Sequence, residues 1–197
     1  MSAPTFTLDT NCLIALEEER PEASAVRQLL ARHRQGEAVV EFAATMAAET
    51  QTDGTVATSI SSLLDRLAAA SLEHIELIRP VMVLDLVYLD WCVPASEGDD
   101  NLLRQIHEVL FPTPFDYRDA VPDALDGEER SREESRWRNK RLDGLALHCH
   151  IRAGNHVFVT SDRNFTKATK RGPLAELGAA VILTPQDAAS HSPDHLG

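Results

Sequence analysis

Short aliphatic runs alternate with longer stretches of helical periodicity along this chain, and that alternation limits the folds open to it. Thr5 to Leu8, Ala38 to Phe42, Ile75 to Ile78, Val157 to Thr160 and Ala180 to Leu183 read as strands. Between them, Asn11 to Glu19, Glu22 to Gln35, Ala43 to Gln51, Thr55 to Ser71, Asp99 to Leu110 and Lys167 to Leu177 read as helices, with Ile60, Leu63, Leu64 and Leu67 at helical spacing. Ser131-x-x-Glu134 is a capping box that opens a long helix ending near Ala153, where Gly154 stops it, and Thr184-Pro185 starts a last short helix. Val81 to Trp91 is an apolar run that periodicity does not assign, and Phe111 to Gly127 reads as a loop. Strands separated by helices predict an α/β fold, a doubly wound α/β/α sandwich with a mostly parallel central sheet and an enlarged middle segment.

The composition narrows the functional classes. The chain has 197 residues and 43% apolar side chains, enough for one domain with a real core. No apolar run approaches the roughly 18–20 residues that span a bilayer, so no membrane partner is expected. Residues 1–10 lack the basic start and apolar stretch of a secretory signal. Cys12, Cys92 and Cys149 are few and widely spaced, which argues against a disulfide framework and for a reduced, cytoplasmic protein. A net charge of −12 disfavours nucleic-acid binding by counterion release alone.

In parallel sheets, ligands gather beyond the carboxyl ends of the strands, at the point where strand order reverses. Acids occupy those ends here. Asp9 directly follows the first strand and Asp162 follows the VFVT strand. If the two strands are neighbours, these residues lie about 5 Å apart, one strand spacing. Glu49 falls in the helix after the second strand. From Gly144 to Ala153 the long helix runs back about 15 Å, which brings Asp143 level with Asp162. Four crowded carboxylates need neutralising, and oxygen-only ligands favour Mg²⁺ or Mn²⁺ over Zn²⁺. Such a centre activates water for attack on a phosphodiester. The bland reading of each acid by itself is a surface charge or a helix cap.

Leu8-Asp9-Thr10-Asn11, then Glu49, then Asp143 and Thr160-Ser161-Asp162-Arg163-Asn164-Phe165 resemble the ordered acids of the PIN domain family. The resemblance covers the first fifty residues and roughly 140–187. It implies a metal-dependent endoribonuclease cleaving single-stranded RNA, often the VapC-type toxin of a bacterial type II toxin–antitoxin pair. By motif position, Asp9, Glu49, Asp143 and Asp162 would be the catalytic, metal-holding acids. Asn11, Thr160 and Ser161 would support them, and Asn164 sits where a further polar or acidic residue occurs. The expected partners are an RNA strand, an antitoxin protein and a second copy of the chain. Residues 1–190 are expected to form a single PIN-like domain, with 54–130 inserted or elaborated inside it and 191–197 a flexible tail. The alternative is a non-catalytic PIN-like module that binds protein or RNA through 54–130.

Basic residues cluster in two places. Arg130, Arg132, Arg136, Arg138, Lys140 and Arg141 crowd the start of the long helix, and Arg163, Lys167, Lys170 and Arg171 follow Asp162. The functional reading is two rails for RNA phosphates, with Arg136, Arg138, Lys140, Arg163 and Lys167 as contacts. The competing reading is a solvated helix neutralised by Glu128, Glu129, Glu133 and Glu134. Trp137 is read as a buried anchor rather than a base-stacking platform. His148-Cys149-His150 cannot chelate together, because adjacent helical residues point apart. His191 and His195 are read as tail residues, and Asp85 and Asp90 as helix-surface residues or extra ligands, caps being the commoner reading. No GxxxxGK or GxSxG motif is present.

Overall fold

The structure is a computed structural model that describes residues 3–45, 60–84, 86–87 and 91–191. Glu49, Asp85, Asp90, His195 and most of the expected Ala43 to Gln51 helix lie outside the described residues, as do 192–197 of the expected tail.

The chain enters at β1 (Thr5–Leu8), turns into α1 (Thr10–Glu17) and α2 (Ala23–Arg34), and returns as β2 (Val39–Ala43). Next come α3 (Ile60–Ala69), β3 (Glu76–Ile78), α4 (Glu97–Leu110) and the single turn α5 (Tyr117–Ala120). The long α6 (Gly127–Ala153) leads into β4 (Val157–Val159). After α7 (Arg163–Thr166), α8 (Ala168–Leu174) and a wide turn at Ala175–Ala179 come β5 (Val181–Leu183) and α9 (Pro185–Ala189).

Among the described residues the strands form one five-stranded sheet in the order β3-β2-β1-β4-β5, and every pairing is parallel. The expected α/β class with a parallel sheet is what the chain adopts. Each strand alternates between two cores because successive side chains point to opposite faces. Phe6 and Leu8 of β1, with Val157 and Val159 of β4, pack against Leu13, Val26, Leu29, Leu63 and Ala188 from α1, α2, α3 and α9. Phe158 and Ile182 point the other way, against Ile106, Ala146, Leu147, Phe165 and Leu174 from α4, α6, α7 and α8. Helices therefore cover both faces. The span 54–130 contributes β3 to the sheet edge and α4 to the second layer.

Several local readings change. The long helix starts at Gly127, not Ser131, with Asp126 as its cap residue; Ser131 is inside, and its hydroxyl bonds back to the Gly127 carbonyl at 3.0 Å. A capping box does form, but at Ser96 and Asp99, opening α4. The helix expected over Lys167 to Leu177 starts one residue later, at Ala168, because Lys167 is extended (φ −59°, ψ 133°), and it widens into the turn at Ala175–Ala179 that Gly178 ends. Val81 and Val93 make one isolated parallel bridge. No helix among the described residues is long and apolar enough to cross a membrane.

Candidate active site

β1 pairs with β2 on one side and β4 on the other, so the strand order reverses there and a crevice opens between the β1 and β4 ends. Leu8 pairs with Val159, and the Asp9 amide donates to the Val159 carbonyl at 3.0 Å, which sets Asp9 beside Thr160. Asp9 leaves the strand in extended conformation and caps α1, its Oδ1 accepting from the Thr10 amide at 2.8 Å.

One residue pair clamps the Asp9 carboxylate. Its Oδ2 accepts from Asn11 Nδ2 at 2.7 Å and from the Thr160 hydroxyl at 2.8 Å. Asn11 Nδ2 also donates to Thr160 Oγ1 at 2.9 Å, while Asn11 Oδ1 accepts the Ser161 amide at 3.0 Å. This fixes which way the Asn11 amide faces. Thr160 Oγ1 further accepts from the Asp162 amide at 3.0 Å, and Asp162 Oδ1 accepts the Asn164 amide at 2.8 Å, capping α7. One hydroxyl thus bonds both Asp9 and the residue carrying the second acid.

Asp9 is only 6% exposed. Burial is the main reason its pKa is pushed up to about 6; the hydrogen bonds from Thr160, Thr10 and Asn11 oppose that, and the Asp162 charge adds to it. The two acids therefore feel each other across the crevice.

Asp143 is half-buried on α6. Two helical turns further along the same helix face, His150 Nδ1 lies 3.0 Å from Thr7 Oγ1 on β1. Seven residues of helix cover about 10 Å, and Thr7 to Asp9 covers about 7 Å of strand. Asp143 accordingly stands at the level of the carboxyl edge, on the face of β1 that Thr7 and Asp9 share. Glu49 lies outside the described residues. Among the described residues no group of three or more His, Cys, Asp or Glu side chains is arranged to hold a metal ion.

Thus Asp9, Asn11, Thr160, Ser161, Asp162 and Asn164 are brought together, Ser161 through its backbone. The Asn164 side chain turns the other way. Its Nδ2 donates to the Leu110 carbonyl at the end of α4 (3.1 Å), and its Oδ1 accepts from Lys170, and from Lys167 at 3.5 Å. Lys170 also donates to the Leu110 carbonyl. Burial and the neighbouring Lys167 lower the Lys170 pKa, and Asp162 opposes them. This link between the site and α4 was not readable in advance, since Asn164 and Leu110 are 54 positions apart.

The two basic clusters differ. On α6, Arg130 pairs with Asp123 and Glu134, Arg132 with Glu128, and Arg136 with Glu133. Lys140 reaches Thr113 Oγ1 at 3.3 Å, and Arg138 is half-buried. Arg141 is buried, its guanidinium 3.5 Å from the Phe115 ring centre. Trp137 is half-buried rather than buried, and its indole N–H donates to the Phe115 carbonyl at 2.9 Å. Arg163 and Lys167 are exposed on the Asp162 side. His148 and His150 face different neighbours, Asp99 and Thr7, and Cys149 is in the core.

Compared with known proteins, the chain matches no family model, no curated protein and no solved structure.

Proposed function

We propose that the chain is a metal-dependent endoribonuclease acting on single-stranded RNA, on a PIN-like fold. The observation that carries this reading is the Asp9–Asp162 pair at the β1/β4 switch point. A carboxylate as buried as Asp9 costs stability when ionised, and no cationic side chain bonds to it among the described residues that surround it. The donors are hard oxygens, and the Asp162 charge adds to the cost of ionising Asp9. That chemistry fits Mg²⁺ or Mn²⁺, which Asp9 and Asp162 would hold together with Asp143 and Glu49. When bound, such an ion polarises a phosphodiester and makes water a better nucleophile.

The chain's own groups supply orientation. Asn11 and Thr160 hold the Asp9 carboxylate in one rotamer, and the Asn164 amide holds Asp162. The pairing of Arg130, Arg132 and Arg136 with acids leaves Arg163 on α7, Lys167 at the α7–α8 junction and Lys170 on α8 as the stronger rail for substrate phosphates. An antitoxin partner, a homodimer and a toxin role rest on the sequence resemblance alone, and a cytoplasmic setting on the few, widely spaced cysteines.

The Asp9→Asn protein is expected to keep the parent's circular dichroism spectrum and lose Mg²⁺- or Mn²⁺-dependent cleavage of single-stranded RNA. Cleavage at the parent's rate would sink the proposal. A parent chain that binds RNA but never cuts it with either metal would favour a non-catalytic binding module.

A further inference from the structure

Beside Asp162 lies a cavity of about 610 Å³, between the end of α4 and the α7–α8 segment. That volume falls within the roughly 300–1,000 Å³ typical of small-ligand sites. Its two walls differ in chemistry. One is mostly apolar, with Val109, Phe111 and Pro112 at the end of α4, and carries one acid, Glu108. The other is polar and cationic, with Asn164, Lys167 and Lys170. Asp162 belongs to both the cavity and the acid pair.

We propose that this cavity is a nucleotide subsite, which seats the residue of the RNA strand next to the phosphate being cut. The inference rests on the nuclease reading above and adds to it where the strand lies. A nucleotide has a flat apolar face and an anionic phosphate, and the walls offer a partner for each. The Phe111 ring, half-buried beside His107, also lines the cavity, and stacking on it would be tolerant of base identity. The Lys167 ammonium, exposed at the mouth, takes the phosphate. Asn164 and Lys170 are bonded to each other and to the Leu110 carbonyl, so the two walls are tied and the gap between them is set before any ligand arrives. Because Asp162 closes one side, the neighbouring phosphate of a strand seated here falls against the acid pair.

The test is equilibrium binding of a fluorescently labelled single-stranded RNA hexamer in EDTA, where no metal-dependent cleavage occurs. Phe111→Leu keeps an apolar residue at the end of α4 but removes the ring face, and Lys167→Ala removes the charge from an exposed position. Each is expected to weaken hexamer binding at least about fivefold, with Lys167→Arg restoring it. Arg20→Ala, whose guanidinium pairs with Glu18 on the α1–α2 connection, should bind as the parent does. AMP and UMP should compete with the hexamer but bind more weakly than it does. If Phe111→Leu and Lys167→Ala both bind like the parent, the subsite is overturned even if the chain cleaves RNA. Tighter binding of a free monophosphate than of the hexamer would also overturn it. If both variants lose binding while the parent never cleaves, the subsite stands and the nuclease reading falls.

Discussion

Thr160 occupies a small position with several obligations. Its hydroxyl donates to Asp9 and accepts from Asn11 and from the Asp162 amide. Valine has the same shape without the oxygen, so Thr160→Val would leave the packing and strip three bonds at once. Removing a partner that orients a metal-holding carboxylate typically lowers metal affinity about 10–100-fold. The expected outcome is that loss in Mn²⁺ affinity by titration calorimetry, with a melting temperature below the parent's even without Mn²⁺ because buried partners are left unpaired; unchanged affinity would show that Thr160 does not orient Asp9 for a cation. At this scale the sequence was informative where chemistry sits next to a strand end. Asp9 and Asp162 could be placed because Asp9 directly follows one aliphatic run and Asp162 comes three residues after another. The side-chain direction of Asn164 could not, since its partner Leu110 comes from a separate element that no periodicity links to it.

The elements after Asp162 show how local geometry shapes the site. Lys167 is extended, so α7 and α8 are separate and Lys170 folds back toward Asn164 instead of continuing a straight helix. Pro173 lies within α8, and the wide turn that follows ends through Gly178 at φ +103°. A side chain there would be strained by the backbone, and its Cβ would come 3.1 Å from Ile151 on α6. Gly178→Ala is therefore expected to destabilise the protein by about 1–2 kcal/mol, measured by urea unfolding; a neutral result would mean that this turn relaxes freely. Strand centres and the Gly154 end of α6 were legible because aliphatic runs and a helix-stopping glycine are local signals. The start of α6 was not. Ser131 suits a cap, but the acids and arginines before it also make good helix, and i,i+4 pairing of Arg132 with Glu128 extends the helix past it.

At the scale of the whole molecule, α6 is fastened to the sheet by a buried polar link. His150 bonds Thr7 on β1 and lies 3.4 Å from the Ala179 carbonyl, under the ring of Phe158. Burial, the largest cause, pushes its pKa down to about 4, and the His156 charge works the same way. An unfolded histidine titrates near 6.5. Acid therefore protonates the unfolded chain first, and stability present above pH 6.5 is lost as pH falls toward 4. Asp9 works in the opposite sense, since its raised pKa gives stability that is lost as pH rises through about 6. Comparing parent with His150→Gln isolates the histidine. The parent is expected to lose more unfolding free energy than the variant between pH 7.5 and 5, by about 1–2 kcal/mol; equal losses would place the acid sensitivity elsewhere.

The pairing of β1 with β4 also has a consequence for synthesis. Asp9 is made 151 residues before its partner Thr160, and its counterpart Asp162 comes later still. A ribosome adding about 5–20 residues per second needs seconds to cover that separation. Through that interval the growing chain carries the first acid without the second. If the assembled pair cuts RNA, the message being read is spared until β4 has been made.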